Sequence, residues 1–218
     1  MKFDPLLAVM NPRAIPECIH ALERLDVRRA WLQRYTEAEL VPVIASLVAD
    51  ESIPFTHLAL VADDCIVQPD ALAAVFELAQ VRPVATGYCR LATGHPKVNI
   101  TRRPIMGDTP SAGAYDFYDF DAVAGWPRHE VPTGFVGFAV TVMPRELWAR
   151  FPFGVFAPEG GGHASDFHLS RRLRDAGVPM VAARDGYVEH VKSEWNRRDD
   201  YPGRELRIGI EPAQVVID

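Results

Sequence analysis

The chain has 218 residues, 48% of them hydrophobic, enough for one substantial core and better suited to one α/β domain than to two independent ones. Its 23 basic residues against 29 acidic ones leave a net charge of −6, which argues against non-specific nucleic-acid binding through a broad cationic surface. A nucleic acid met by one local patch remains compatible with that balance.

Leu6 to Met10 is a short apolar run stopped by Asn11-Pro12, the pattern of a buried strand that ends at a loop. Between Ile15 and Leu25, the residues Ile15, Ile19, Leu22 and Leu25 fall at helical spacing, with Pro16 in the first turn. Val27 to Tyr35 reads as a second strand with Ala30 and Leu32 on one face, and Glu37 to Ala49 as a second helix with an acidic start. His57 to Ala62 is a third buried strand that runs directly into Asp63-Asp64. A third helix opens at Pro69-Asp70-Ala71-Leu72 and continues to about Gln80, followed by a fourth strand from Val84 to Tyr88. This alternation predicts a Rossmann-like parallel sheet in the first half.

From Arg90 to Pro132 the chain is rich in Gly, Pro, Thr, Asp and aromatics, without sustained periodicity. A stretch of that length points to substrate recognition. Phe135 to Met143 reads as a strand, Pro144 to Arg150 as a helix, and Glu159 to His163 as a glycine-rich loop. A helix from Ser165 to Ala176 ends at Gly177, and two strands, Val178 to Ala183 and Tyr187 to Val191, close the fold. The tail after Trp195 is polar and reads as irregular.

Cys18, Cys65 and Cys89 are dispersed and form neither a disulfide framework nor zinc-ligand spacing. They read as core thiols of a protein in a reducing compartment. The apolar run near the N-terminus is too short for a signal peptide, and Phe135 to Met143 is half the length of a membrane span. The expectation is a cytoplasmic protein without a membrane span.

Adjacent carboxylates at the C-terminal end of a buried strand lie where open α/β sheets bind ligands. Asp63 and Asp64 there suit a hard divalent cation that bridges diphosphate oxygens, although two aspartates can also simply end a strand in a turn. The segment Val61-Ala62-Asp63-Asp64, with Pro69-Asp70-Ala71-Leu72 in register behind it, resembles the DxD strand-turn-helix of GT-A glycosyltransferases, in particular the family 2-like group. Two further segments resemble the same group. Ser165-Asp166-Phe167-His168-Leu169, continuing to Ala176-Gly177, is similar to its ED-x-D-L-x-x-R-x-x-x-A-G helix, and Tyr187-Val188-Glu189-His190 to its late strand ending in histidine. The sequence departs from the pattern at Ala62, Ser165 and His168, where the family usually has Asp, Glu and Asp.

The resemblance spans Leu6 to Val191 and implies a single GT-A domain with a mixed central sheet. It divides into a nucleotide-binding half (1–90), an acceptor and catalytic half (91–195) and a tail (196–218). It implies a metal-dependent transferase that takes sugar from a nucleotide diphosphate sugar, with UDP favoured over GDP, and uses Mn²⁺ or Mg²⁺. Asp64 and His190 would be the metal ligands and Asp166 the general base for the acceptor hydroxyl. Asn11, Arg13 and Asp63 would contact the donor, while Thr133, Gly134 and His163 would line the acceptor side. The acceptor is open among a glycan, a small molecule, a protein and a modified DNA base. Two other readings are a sugar-nucleotide-binding domain without turnover, prompted by Ala62 and Ser165, and a nucleotidyltransferase. The second lacks its glycine-rich phosphate loop, since that position reads Met10-Asn11-Pro12-Arg13-Ala14.

Overall fold

Strict alternation makes the first strand two-faced. In β1 (Pro5–Asn11), Leu6, Ala8 and Met10 point into one core and Leu7 and Val9 into another. The computed structural model describes residues 2–11, 15–33, 37–92, 94–104, 115–151, 165–191 and 215–217. Helix α1 (Pro16–Glu23) starts with proline in its first turn, β2 (Arg29–Gln33) follows, and α2 (Glu37–Ala49) leads to β3 (His57–Ala62). A short β4 (Cys65–Ile66) precedes α3 (Pro69–Ala79) and β5 (Ala85–Tyr88). The second half comprises β6 (Lys97–Thr101), β7 (Phe117–Asp119), α4 (Phe120–Ala124), β8 (Glu130–Thr133), β9 (Thr141–Pro144) and α5 (Arg145–Arg150). It closes with α6 (Ser165–Asp175), β10 (Met180–Tyr187), β11 (Glu189–His190) and β12 (Val215–Ile217).

Eight strands form the central sheet in the order β12-β2-β1-β3-β9-β5-β10-β8. The β2-β1-β3 block is parallel, β9 runs antiparallel between β3 and β5, and β5 and β10 are again parallel. One face carries Ile44, Leu47 and Val48 of α2, Trp148 of α5 and Leu169 and Leu173 of α6. The other carries Leu22 of α1 and Leu72, Val75 and Leu78 of α3. Helices on both faces of a mixed sheet account for two separate apolar clusters. The tryptophan on α5 is fixed as well as buried, because its Nε1–H donates to the Leu58 carbonyl at 2.9 Å.

Several elements differ from the sequence expectation. The apolar run at Phe135–Met143 forms a strand only from Thr141 onward. The Thr141 hydroxyl donates back to the Gly137 carbonyl at 2.6 Å, which holds the segment before it in a turn. Continuous apolarity reports burial and cannot separate a buried strand from a buried loop. The two closing strands begin later than expected: β10 is longer and continues through Arg184 to Tyr187, and β11 is shorter, a separate pair of residues. The 90–132 stretch holds β6, β7, α4 and β8, and the tail contributes β12, which pairs with β2. Gly177 adopts φ +68° after α6, and the Gly177 and Val178 amides donate to the Arg174 and Leu173 carbonyls, a Schellman ending.

Gly134 is set by close approach. A Cβ there would stand 2.2 Å from the Arg103 carbonyl oxygen and 2.4 Å from Pro104 N, both backbone atoms that cannot swing aside. Gly134→Ala is therefore expected to lower stability by about 2–3 kcal/mol, read as a fall of roughly 4–12 °C in Tm by thermal denaturation.

Candidate active site

Strand β3 ends at the C-terminal edge of the parallel block, beside the end of β1, and the Asp63 amide donates to the Met10 carbonyl at 3.0 Å. Asp63 and Asp64 make the turn into β4, which pairs antiparallel with β11 so that Cys65 stands opposite His190. This small ladder, tightened by a Val191 amide bond to the Asp64 carbonyl at 2.9 Å, is what delivers His190 to the aspartate turn.

His190 Nε2 lies 3.1 Å from Asp64 Oδ2, and His190 Nδ1 lies 3.1 Å from the Arg90 carbonyl oxygen. A carbonyl can only accept, so Nδ1 carries a proton, which fixes the ring's orientation and turns Nε2 toward the carboxylate. Asp64 is 4% exposed and Asp63 is wholly buried. The Cys65 thiol donates to Asp64 Oδ1 at 3.6 Å. The buried Cys89 thiol is a neighbour of Cys65 and His190, so two of the three buried cysteines meet at this site.

These contacts set the charges. Burial opposes a charged His190, but hydrogen bonds to Asp64 and Cys89, with their negative charge, outweigh it and raise the imidazole to about 10. Cys89 moves the other way: its hydrogen bond to Cys65 lowers the thiol below its ordinary range despite burial, and His190 adds to the effect. A raised histidine value means that its pairing contributes stability fully below the unfolded value of 6.5 and loses it as pH rises through about 10. The Tm difference between the unaltered metal-free protein and His190→Gln is therefore expected to shrink across that window. Melting curves at a series of pH values would check it, and a constant difference would show that the pair carries no such charge.

A second group of candidate residues gathers around α6. Asp166 sits in its first turn, partly exposed, with Oδ1 accepting the Phe167 amide at 2.7 Å. Ser170, one turn on, accepts the Val136 amide at 3.0 Å and so ties the helix to the segment that follows Thr133-Gly134. The Thr133 hydroxyl accepts the Thr101 amide at 3.1 Å and donates to the Phe135 carbonyl at 2.8 Å, which places it in the framework that shapes this side.

The structure thus brings Asp64 and His190 into direct contact and places Asp63 beside them. Asn11 ends β1 at the same edge of the sheet. Arg13 and His163 lie outside the described residues. Sequence reasoning missed Cys89 and the Arg90 carbonyl. Their one signal is position, since both follow a strand whose C-terminal end reaches the same sheet edge. Among the described residues no three His, Cys, Asp or Glu side chains form a ready metal cage. Asp64 and His190 supply two suitable ligands, which leaves room for a substrate's oxygens.

A mixed sheet of this order with helices on both faces is similar to the GT-A fold of glycosyltransferases. Residues 18–200 match the family described as "Glycosyltransferase like family 2". The chain belongs to that family and is a protein of glycosyltransferase type. The fold is similar to that of A197 from STIV, at a TM-score of 0.53 and 14% identity, over 83% of this chain and 81% of that one. It is also similar to GalNAc-T7, solved with UDP, GalNAc and Mn²⁺, at a TM-score of 0.54 and 9% identity. That match covers 96% of this chain and 46% of the other, so the chain spans about half of GalNAc-T7. No curated protein sequence matches the chain. No helix among the described residues is long and apolar enough to cross a membrane.

Proposed function

We propose that this protein transfers a sugar from a nucleotide diphosphate sugar to an acceptor hydroxyl, with a divalent Mn²⁺ or Mg²⁺ held by Asp64 and His190. UDP is the favoured nucleotide and GDP the next. The observation that carries the reading is the contact between His190 Nε2 and Asp64 Oδ2 at the C-terminal edge of the sheet. Both groups are ordinary ligands for such an ion, and the Arg90 carbonyl presents the imidazole through the correct nitrogen. When bound, the metal neutralises charge on the departing diphosphate.

The remaining roles belong to the chain. Asn11 and Arg13 contact the base and ribose, and Asp63 the ribose side of the donor; its full burial means that donor entry has to uncover it. Asp166 accepts the acceptor hydroxyl's proton as that oxygen attacks, if the reaction inverts configuration, and orients the sugar if it retains it. Thr133, Gly134 and His163 shape the acceptor side. The 1–90 half serves the nucleotide, the 91–195 half the acceptor, and 196–218 is a tail. Three buried cysteines held as free thiols support a reducing, cytoplasmic setting.

Calorimetric titration of UDP and GDP, each with and without Mn²⁺, tests the reading, and no metal-dependent binding of either would sink it. A second reading, a binding domain without turnover, is favoured by Ala62 standing where the family usually has a carboxylate. Metal-dependent UDP binding with no donor hydrolysis and no transfer across a broad acceptor panel would select it.

A further inference from the structure

Beside Asp166 lies an aromatic cluster that the roles above leave unused. Tyr115 and Phe117 stack ring on ring, with centroids 4.9 Å apart and planes 2° from parallel. Tyr115 also meets Phe135 edge-on at 6.0 Å and Phe167 at 6.4 Å. Phe135 and Phe167 are buried, whereas Tyr115 and Phe117 are only partly so. Phe135 directly follows Thr133-Gly134 and Phe167 directly follows Asp166, so the stack is anchored on both groups already placed at the acceptor side. Phe117 is further fixed opposite Thr101, whose carbonyl accepts the Gly134 amide at 3.0 Å.

The polar groups around the stack are equally specific. Burial, and then the nearby Asp166 carboxylate, push the Tyr115 phenol up to about 12, so it keeps its proton and remains a donor. Partly exposed aromatic surface beside a carboxylate and a phenol matches a ligand with an apolar face and a hydroxylated rim. A pyranose has that form: its axial C–H bonds meet the electron-rich ring face while its hydroxyls reach the rim.

We propose that Tyr115 and Phe117 form the acceptor subsite and that it takes a pyranose ring of a glycan, stacked so that a rim hydroxyl meets Asp166. The inference rests on the reading of Asp166 as the acceptor's base. A nucleobase would stack on the same rings but offers no ring hydroxyl to Asp166, and thymidine is the probe that separates the two.

Saturation-transfer NMR with methyl β-D-glucopyranoside, methyl β-D-galactopyranoside and thymidine as probes tests this, recorded with and without UDP and Mn²⁺. The expected result is saturation concentrated on pyranoside ring C–H protons, weakened roughly tenfold in affinity by Phe117→Leu and restored by Phe117→Tyr. Circular dichroism of each variant confirms its fold. Pyranosides that give no saturation in either condition, a Phe117→Leu protein that binds them as the unaltered protein does, or thymidine bound in preference to them would overturn the proposal. Because the probes are read without UDP as well, a failed donor site would show separately, as absent UDP binding with pyranoside saturation intact.

Discussion

Asp64→Asn is expected to leave UDP binding equally weak with and without Mn²⁺, a loss of at least roughly 100-fold in metal-dependent affinity. Asparagine keeps the shape of the side chain and removes its charge, so the change isolates electrostatics. His190→Gln is expected to produce a loss of the same order, because each residue supplies one ligand. Calorimetry reads both. The pair is also buried, with side chains 12% and 6% exposed for His190 and Asp64, so removing one partner strands the other and lowers stability as well. Melting curves without metal separate the two effects. Unchanged metal-dependent UDP binding in both variants would show that the ligands lie elsewhere. Protons and metal compete for His190 Nε2, so Mn²⁺ affinity is expected to rise with pH, opposite to the ion pair's contribution to metal-free stability.

The second large effect falls on chemistry rather than binding. In an inverting reaction, Asp166→Asn is expected to reduce kcat by about 10²–10⁴-fold, because the amide cannot take the acceptor's proton, while UDP binding in Mn²⁺ stays at the unaltered level. Steady-state transfer kinetics, paired with the same calorimetry, check it. If binding and kcat fall together, Asp166 holds the site's shape. If neither moves, the carboxylate serves only the start of α6, where its Oδ1 already accepts the Phe167 amide.

Long elements of one strong period were legible from sequence. Strand β3 and helix α2 lie at the expected residues, since six strand positions, four of them buried, and thirteen helical ones each repeat one pattern. The order of Asp64, Asp166 and His190 was legible too, and the structure puts the first and last in contact. What the sequence did not disclose depends on neighbours. Strands β7 and β8 have three and four residues, too few for a period, and exist because β6 and β10 pair with them. Cys65 and Cys89 are 24 positions apart and show no motif, yet they meet because β4 and the end of β5 reach the same edge of the sheet. Tyr115 and Phe117 looked like generic aromatics in a long irregular stretch. Only Phe135 and Phe167, brought in from two other segments, give them a common surface.

The two borders of the central sheet bear on whether a second chain can add a strand to it. A border strand offers unpaired amides and carbonyls to any second chain with a matching run. At one border is β8, where Pro132 removes an amide and Glu130 is engaged by Arg82 at 2.6 Å. At the other, three residues from the end of the chain, Val215–Ile217, lie over the five of β2. Each border is therefore short or chemically blunted. The apolar β2, with Trp31 and Leu32 at its centre, is shielded from self-recognition by the last strand of its own sheet.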